Sequence, residues 1–110
     1  MANDRPRQTK RLEFDAKLRQ VPGVKKTYFQ RPPKTGMEYN CILYSAKPDV
    51  RFRANNGIYL IGVEYTVTYI HNDPDDESVN YILTHFQYVR YDRQYISDEL
   101  YHDVFIIFDY

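Results

Sequence analysis

The chain has 110 residues, the usual size of one domain, and its fifteen basic and fifteen acidic side chains cancel. Because the net charge is zero, the composition does not indicate a protein that binds nucleic acid. The longest aliphatic and aromatic run, residues 104–108, is far shorter than the roughly 20 residues that cross a bilayer, which argues against a membrane protein. A single cysteine, Cys41, rules out an internal disulfide and fits a reducing compartment.

The net charge hides an asymmetry along the chain. Residues 1–34 hold ten Lys and Arg against three acids, whereas residues 35–110 hold five against twelve. The sequence therefore predicts a molecule with a basic end and an acidic body.

The N-terminal part predicts an arm followed by a helix. Residues 1–7 lack periodicity and contain a proline, so we interpret them as a flexible arm that precedes a single α+β domain over residues 8–110. Residues 8–20 are rich in helix formers, and Phe14, Leu18 and Val21 recur at the spacing of one helical face.

Three strands are predicted next, over residues 24–30, 37–45 and 58–70. The second has apolar residues on both faces, which is typical of a central strand, and the third alternates clearly. Residues 46–57 are interpreted as a long polar connection with a short extended piece. Gly62 predicts a bulge or a close approach of another chain segment.

The C-terminal part predicts a helix and two closing strands. Val79, Ile82, Leu83 and Phe86 have helical spacing, and strands are predicted over residues 86–92 and 102–110, joined by residues 93–102. Together these elements predict an α+β fold: a mostly antiparallel sheet of about five strands with two helices packed on one face.

The acidic stretch "HNDPDDES", residues 71–78, has two interpretations. Calcium binding would require a glycine at the tight turn and a glutamate at the twelfth position, and both are missing. We instead expect Asp73 to be the N-cap of the second helix and Pro74 its first residue. No metal site is predicted.

No catalytic motif is present, so the sequence predicts neither an enzyme nor a cofactor. His71, His85 and His102 lack ligand spacing, Cys41 lies within an apolar strand, and glycine-rich phosphate loops are missing. Two alternatives stay open. One is a small enzyme that uses carboxylates near His71 or His102, and the other is DNA contact through the basic N-terminal arm.

A family resemblance rests on three segments: "YFQRPPKTGMEYNCILYS", "YTVTYIHNDPDDE" and "YDRQYISDELYHDVFIIF". In this order they resemble the small head–tail junction proteins of tailed bacteriophages, described as tail terminator, tail completion or minor capsid proteins. The resemblance covers about residues 28–108.

The resemblance implies a structural virion protein of the phage neck, made in the host cytoplasm. As a tail terminator it would form a ring of six copies that caps the tail tube and joins it to the head connector. Its partners would be itself, the tail tube protein and a head-closure or connector protein, with no direct DNA contact beyond enclosing the genome channel. The alternative is a head-closure protein on the portal side. Within this interpretation, the candidate interface residues lie in two loops: Arg31, Lys34, Arg51, Arg53, Asn55 and Asn56.

Overall fold

The computed structural model describes residues 7–32, 36–53 and 59–110. Its elements follow the predicted order of helix, three strands, helix and two strands. Their bounds are α1 Arg7–Arg19, β1 Lys26–Phe29, β2 Cys41–Arg53, β3 Tyr59–His71, α2 Ser78–His85, β4 Tyr88–Ser97 and β5 Leu100–Asp109.

The five strands form one sheet in the order β1-β2-β3-β5-β4. β1 pairs with β2 in parallel, and the other pairs are antiparallel. The α+β fold with a mostly antiparallel sheet is therefore confirmed. β1 and β4 are the two edges of the sheet, on opposite sides of the molecule.

Both helices contribute to a core on one face of the sheet. Phe14 of α1 stacks on Tyr65 of β3 with ring centroids 3.9 Å apart, and Leu18 and Ile82 are fully buried in the same cluster. The predicted stripe is confirmed, because Phe14 and Leu18 of α1, together with Val21 just after the helix, are buried in the core.

For the part of residues 46–57 that the structure describes, the short extended piece predicted at residues 50–53 is confirmed, but the connection predicted before it is wrong. β2 continues to Arg53, where it pairs with Tyr59 of β3. A register shift between Lys47 and Val50 accommodates Pro48, which has no N–H group to donate to the ladder. The backbone pairing with β3 outweighs the polar composition that suggested a loop.

The predicted connection over residues 93–102 is also wrong. β4 and β5 continue through it and are joined by a two-residue turn, Asp98 and Glu99, with φ angles of 53° and 65°. Positive φ at both central residues matches the right-handed twist of a hairpin, so the strands pair up to the turn.

The helix cap was predicted at the wrong residue. α2 begins at Ser78, and Glu77 occupies the N-cap position without a side-chain hydrogen bond. Asp73 instead accepts a hydrogen bond from the Asp75 N–H at 2.9 Å, and Asp76 accepts one from the Ser78 N–H at 2.8 Å. In each case an aspartate side chain accepts from the N–H group two residues later, which forms an Asx turn. Two such turns precede the helix, because aspartate side chains compete well for nearby backbone N–H groups.

Candidate interaction surfaces

The acidic stretch leads into a buried polar cluster around His71. Its Nε2 lies 2.5 Å from Oδ2 of Asp103, and both side chains are almost completely buried. Asp103 also accepts hydrogen bonds from the Tyr91 hydroxyl and, at 2.9 Å, from Gln94. The imidazole stacks on Tyr69 and Tyr101. The cluster ties together β3, β4 and β5 at the end of the sheet where β3 ends.

The geometry of this cluster limits what it can do chemically. A carboxylate that accepts from one imidazole nitrogen is the orienting half of a catalytic triad. The other nitrogen, Nδ1, faces the Asp73 N–H at 3.4 Å and Asp76 Oδ2 at 3.7 Å. Among the described side chains, no Ser, Thr or Cys bonds to the ring. The pair therefore has an orienting group but no described nucleophile.

Sequence reasoning named His71 but missed its partner. Asp103 is 32 positions away in the chain, and only the antiparallel pairing of β3 with β5 brings the two together. The signal in the sequence was weak: a single acid within the apolar run of a strand.

Cys41 is buried, as its apolar surroundings predicted. Burial raises the pKa of its thiol to about 11, which keeps it protonated and unreactive at neutral pH. Within the described residues there is no group of three His, Cys, Asp or Glu side chains that could hold a metal ion. No helix in that part of the chain is long and apolar enough to span a membrane.

One surface follows the free side of β4 and its turn. Tyr95 and Ile96 are exposed, the latter at 65%, and the acidic turn residues Asp98 and Glu99 come directly after them. No described Lys or Arg pairs with Asp98 or Glu99, whereas Asp92 of the same strand is paired with Arg93. We call Tyr95, Ile96, Asp98 and Glu99 the acidic edge.

More carboxylates lie at the same end of the sheet. The segment after β3 exposes Asp73, Asp75 and Glu77, and β3 ends where the β4–β5 turn lies, since His71 pairs with Tyr101. The acidic body that the sequence predicts is therefore concentrated at one end of the fold.

A second surface lies on the opposite side of the sheet. Lys26 at the start of β1, Lys25 just before the strand and Arg31 just after it are exposed, and no described acid forms an ion pair with them. We call these three residues the basic edge. Glu38 lies beside it, since its N–H donates to the Tyr28 hydroxyl at 3.0 Å, so the edge is basic but not uniformly so.

The structure separates the candidate interface residues. Arg31 is exposed just beyond β1, at the level of Tyr44. Arg51 and Arg53 lie about 20–30 Å further along β2 by strand rise, opposite Ile61 and Tyr59. Lys34, Asn55 and Asn56 lie outside the described residues.

β2 and β3 extend beyond the rest of the sheet. β5 pairs with β3 only from Val63 to His71, and β1 pairs with β2 only from Cys41 to Tyr44. Residues 50–53 and 59–62 thus form a two-stranded ladder that no other described strand joins. We call these residues the β2–β3 extension. The sequence predicted a short extended piece over residues 50–53 but not its pairing with β3, because it was interpreted as part of a polar connection.

The base of the extension lies against the C-terminal residues. A Cβ atom at Gly62 would clash with the carbonyl oxygen of Asp109 and would lie 2.7 Å from Cα of Tyr110. The close approach predicted at Gly62 is confirmed, and the accompanying register shift lies on β2.

Comparison of this chain with family models, curated proteins and solved structures gave no match.

Proposed function

We propose that the protein is a structural subunit of the bacteriophage neck, a tail terminator that forms a ring, caps the tail tube and joins it to the head connector. The proposal starts from the resemblance of residues 28–108 to head–tail junction proteins. In this role the protein is a subunit of an assembly and not an enzyme.

The observation that carries the proposal is the β2–β3 extension. An isolated two-stranded ladder is marginally stable in water, because it has no third strand or helix to cover it. Ile61 at its base is 58% exposed. The extension also includes Phe52 and Leu60, which pair with each other in the register. A ladder that no other described strand joins and that exposes Ile61 favours burial against a neighbouring subunit.

Arg51 and Arg53 give the β2–β3 extension a positive charge. They are the cations of the extension, and Asp49 is the acid nearest to them along β2. A basic and apolar extension suits a neighbour with an acidic and apolar surface, since complementary charges set orientation and raise the association rate.

Labelled virions test the location and the copy number. A tagged copy, bound to gold and viewed by electron microscopy, is expected at the neck in six copies if the protein is a terminator. Twelve copies would support the head-closure alternative, and particles without label would overturn both virion roles.

Charge reversal tests the extension itself. Arg51→Glu with Arg53→Glu is expected to leave the monomer folded, with an unchanged far-ultraviolet circular dichroism spectrum, and to block particle assembly. The matched control is Lys17→Glu, a reversal at an exposed position of α1. Normal assembly of the double variant would count against the extension as a contact.

A further inference from the structure

We infer that copies of this chain associate head to tail, with the acidic edge of one copy against the basic edge of the next. The contact itself is argued from the surfaces of the subunit, and only its place in a virion rests on the proposed function.

The acidic edge and the basic edge lie on opposite sides of the sheet. β1 and β4 are the outermost strands on opposite sides of one sheet. Lys25 and Lys26 lie at the start of β1, while Asp98 and Glu99 lie at the end of β4. Both sets are at the same end of the sheet, because Lys26 pairs with Cys41, Cys41 with Ile70, and Ile70 with His102 near the β4–β5 turn. The edges therefore point away from each other at one level of the molecule, so one copy cannot satisfy its own charges.

The two edges are also complementary in charge. Asp98, Glu99, Lys25, Lys26 and Arg31 are exposed and form no ion pair with one another in the described structure. Two different surfaces that complement each other produce a heterologous contact, which closes into a ring if the rotation between copies allows it. The same charges disfavour contact between two acidic edges or two basic edges.

The contact also has an apolar centre. Tyr95 and Ile96 are exposed beside the acids, on opposite faces of β4 because side chains alternate along a strand, and Tyr28 lies partly exposed between the cations of β1 and Arg31. An aromatic side chain at the centre with charged residues at the rim is typical of a protein interface. This pairing favours another copy of the chain over a polyanion, because a polyanion would engage only the cations of the basic edge and would leave the acids of the other edge unmatched.

The contact uses side chains and not strand addition. A register shift between Tyr91 and Arg93 interrupts β4, and β1 pairs over only four residues. Bulges and short edge strands hinder pairing with a further strand. The free sides of both strands are therefore poor templates for extending the sheet.

The test uses two charge-reversed variants of the full chain. One carries Lys25→Glu and Lys26→Glu, and the other carries Asp98→Lys and Glu99→Lys. Each alone should associate about tenfold or more weakly than the natural chain, because like charges then face each other. An equimolar mixture should recover the association, since each variant supplies the edge that the other lacks. Masses are measured by sedimentation and light scattering, and recovery should weaken as salt is raised.

Disulfide trapping detects the contact even if the copies associate only weakly. Lys26→Cys combined with Glu99→Cys should give a ladder of covalent oligomers on oxidation at high protein concentration. The control is Lys17→Cys with Glu99→Cys, which should give no ladder. Cys41 is buried and does not interfere.

The possible outcomes separate this inference from the proposed function. A ladder together with recovery on mixing supports the contact, even if labelled virions show no neck density. The absence of a ladder, or a mixture that behaves like its two components, overturns the contact, even if the protein is found at the neck. Thermal unfolding of each variant checks that the subunit itself is intact.

Discussion

The Tyr44 hydroxyl donates a hydrogen bond of 2.8 Å to the Asp15 carboxylate and so joins β2 to α1 beneath the core. Asp15 also accepts from Arg19 at 2.7 Å and from Thr27 at 2.8 Å. Burial opposes ionisation of this carboxyl group, but the hydrogen bonds from Arg19, Tyr44 and Thr27 outweigh it and lower its pKa. One side chain thus holds the basic N-terminal helix against β1 and β2, and it positions the basic edge.

Asp15→Asn should destabilise the fold at neutral pH and weaken its dependence on pH. The folded pKa of Asp15 is lowered, so its stabilising effect is present above the unfolded pKa of about 3.9 and is lost as pH falls through the folded value. The free energy of unfolding at pH 7 should fall by about 1–3 kcal/mol. Urea titrations between pH 7 and pH 2 measure both effects.

The matched control for Asp15 is Glu99→Gln, which removes one negative charge from an exposed turn. It should leave the stability at pH 7 nearly unchanged. Some acid sensitivity should remain in Asp15→Asn, since the pKa of Asp76 is also lowered: burial is outweighed there by hydrogen bonds from Tyr69 and Ser78. Equal effects of the two variants would contradict the role given to Asp15.

Asp103→Ala should be the most damaging polar substitution in the chain. It leaves the buried His71 without its partner and removes the acceptor of Tyr91 and Gln94. A buried hydrogen-bonding group such as His71 left without its partner costs about 1–3 kcal/mol, and two further groups lose their acceptor, so a loss of several kcal/mol is expected. Denaturant unfolding at pH 7 measures the loss.

Tyr91→Phe is the comparison variant for Asp103. It removes one hydrogen bond at a partly exposed hydroxyl, so a loss of about 1 kcal/mol is expected. A smaller loss for Asp103→Ala than for Tyr91→Phe would show that the His71 cluster does not stabilise the fold.

Gly62→Ala should destabilise the base of the β2–β3 extension. The added Cβ would clash with the carbonyl oxygen of Asp109, and backbone atoms cannot move aside without disturbing the pairing of β3 with β5. A loss of about 1–3 kcal/mol is expected from such overpacking. Gly36→Ala is the control, because a Cβ there meets nothing within 4 Å. Thermal unfolding of both variants decides the matter, and equal midpoints would refute the close approach.

Phe14→Ala should open a cavity in the core. The ring stacks on Tyr65 and also contacts Tyr44 and Phe86. Loss of a buried phenylalanine costs about 3–5 kcal/mol. Leu12→Ala, at a position on the same helix that is 53% exposed, should cost far less. Similar losses in urea unfolding would mean that α1 packs by a different face.

The sequence was informative wherever one face of an element is buried. The spacing of Phe14, Leu18 and Val21 and the alternation along β3 follow directly from packing against a core, so both elements were predicted close to their observed bounds. The order of the elements and the α+β class followed from the same patterns. The strand ends were predicted less well, because polar residues at the ends of β2, β4 and β5 pair through backbone groups that every residue carries.

The interaction surfaces depend on relations that local patterns do not contain. The sequence by itself determined that a basic segment precedes an acidic one, that the chain has one core, and that no catalytic motif is present. Only the tertiary structure decided that Lys26 and Glu99 lie on opposite edges of one sheet, that β2 and β3 extend past their neighbours, and that Asp103 meets His71. The physical reason is that the periodicity of apolar residues indicates only which face of an element is buried. The position of a sheet edge depends instead on strand order and register. Both are set by backbone pairing between residues far apart in the chain.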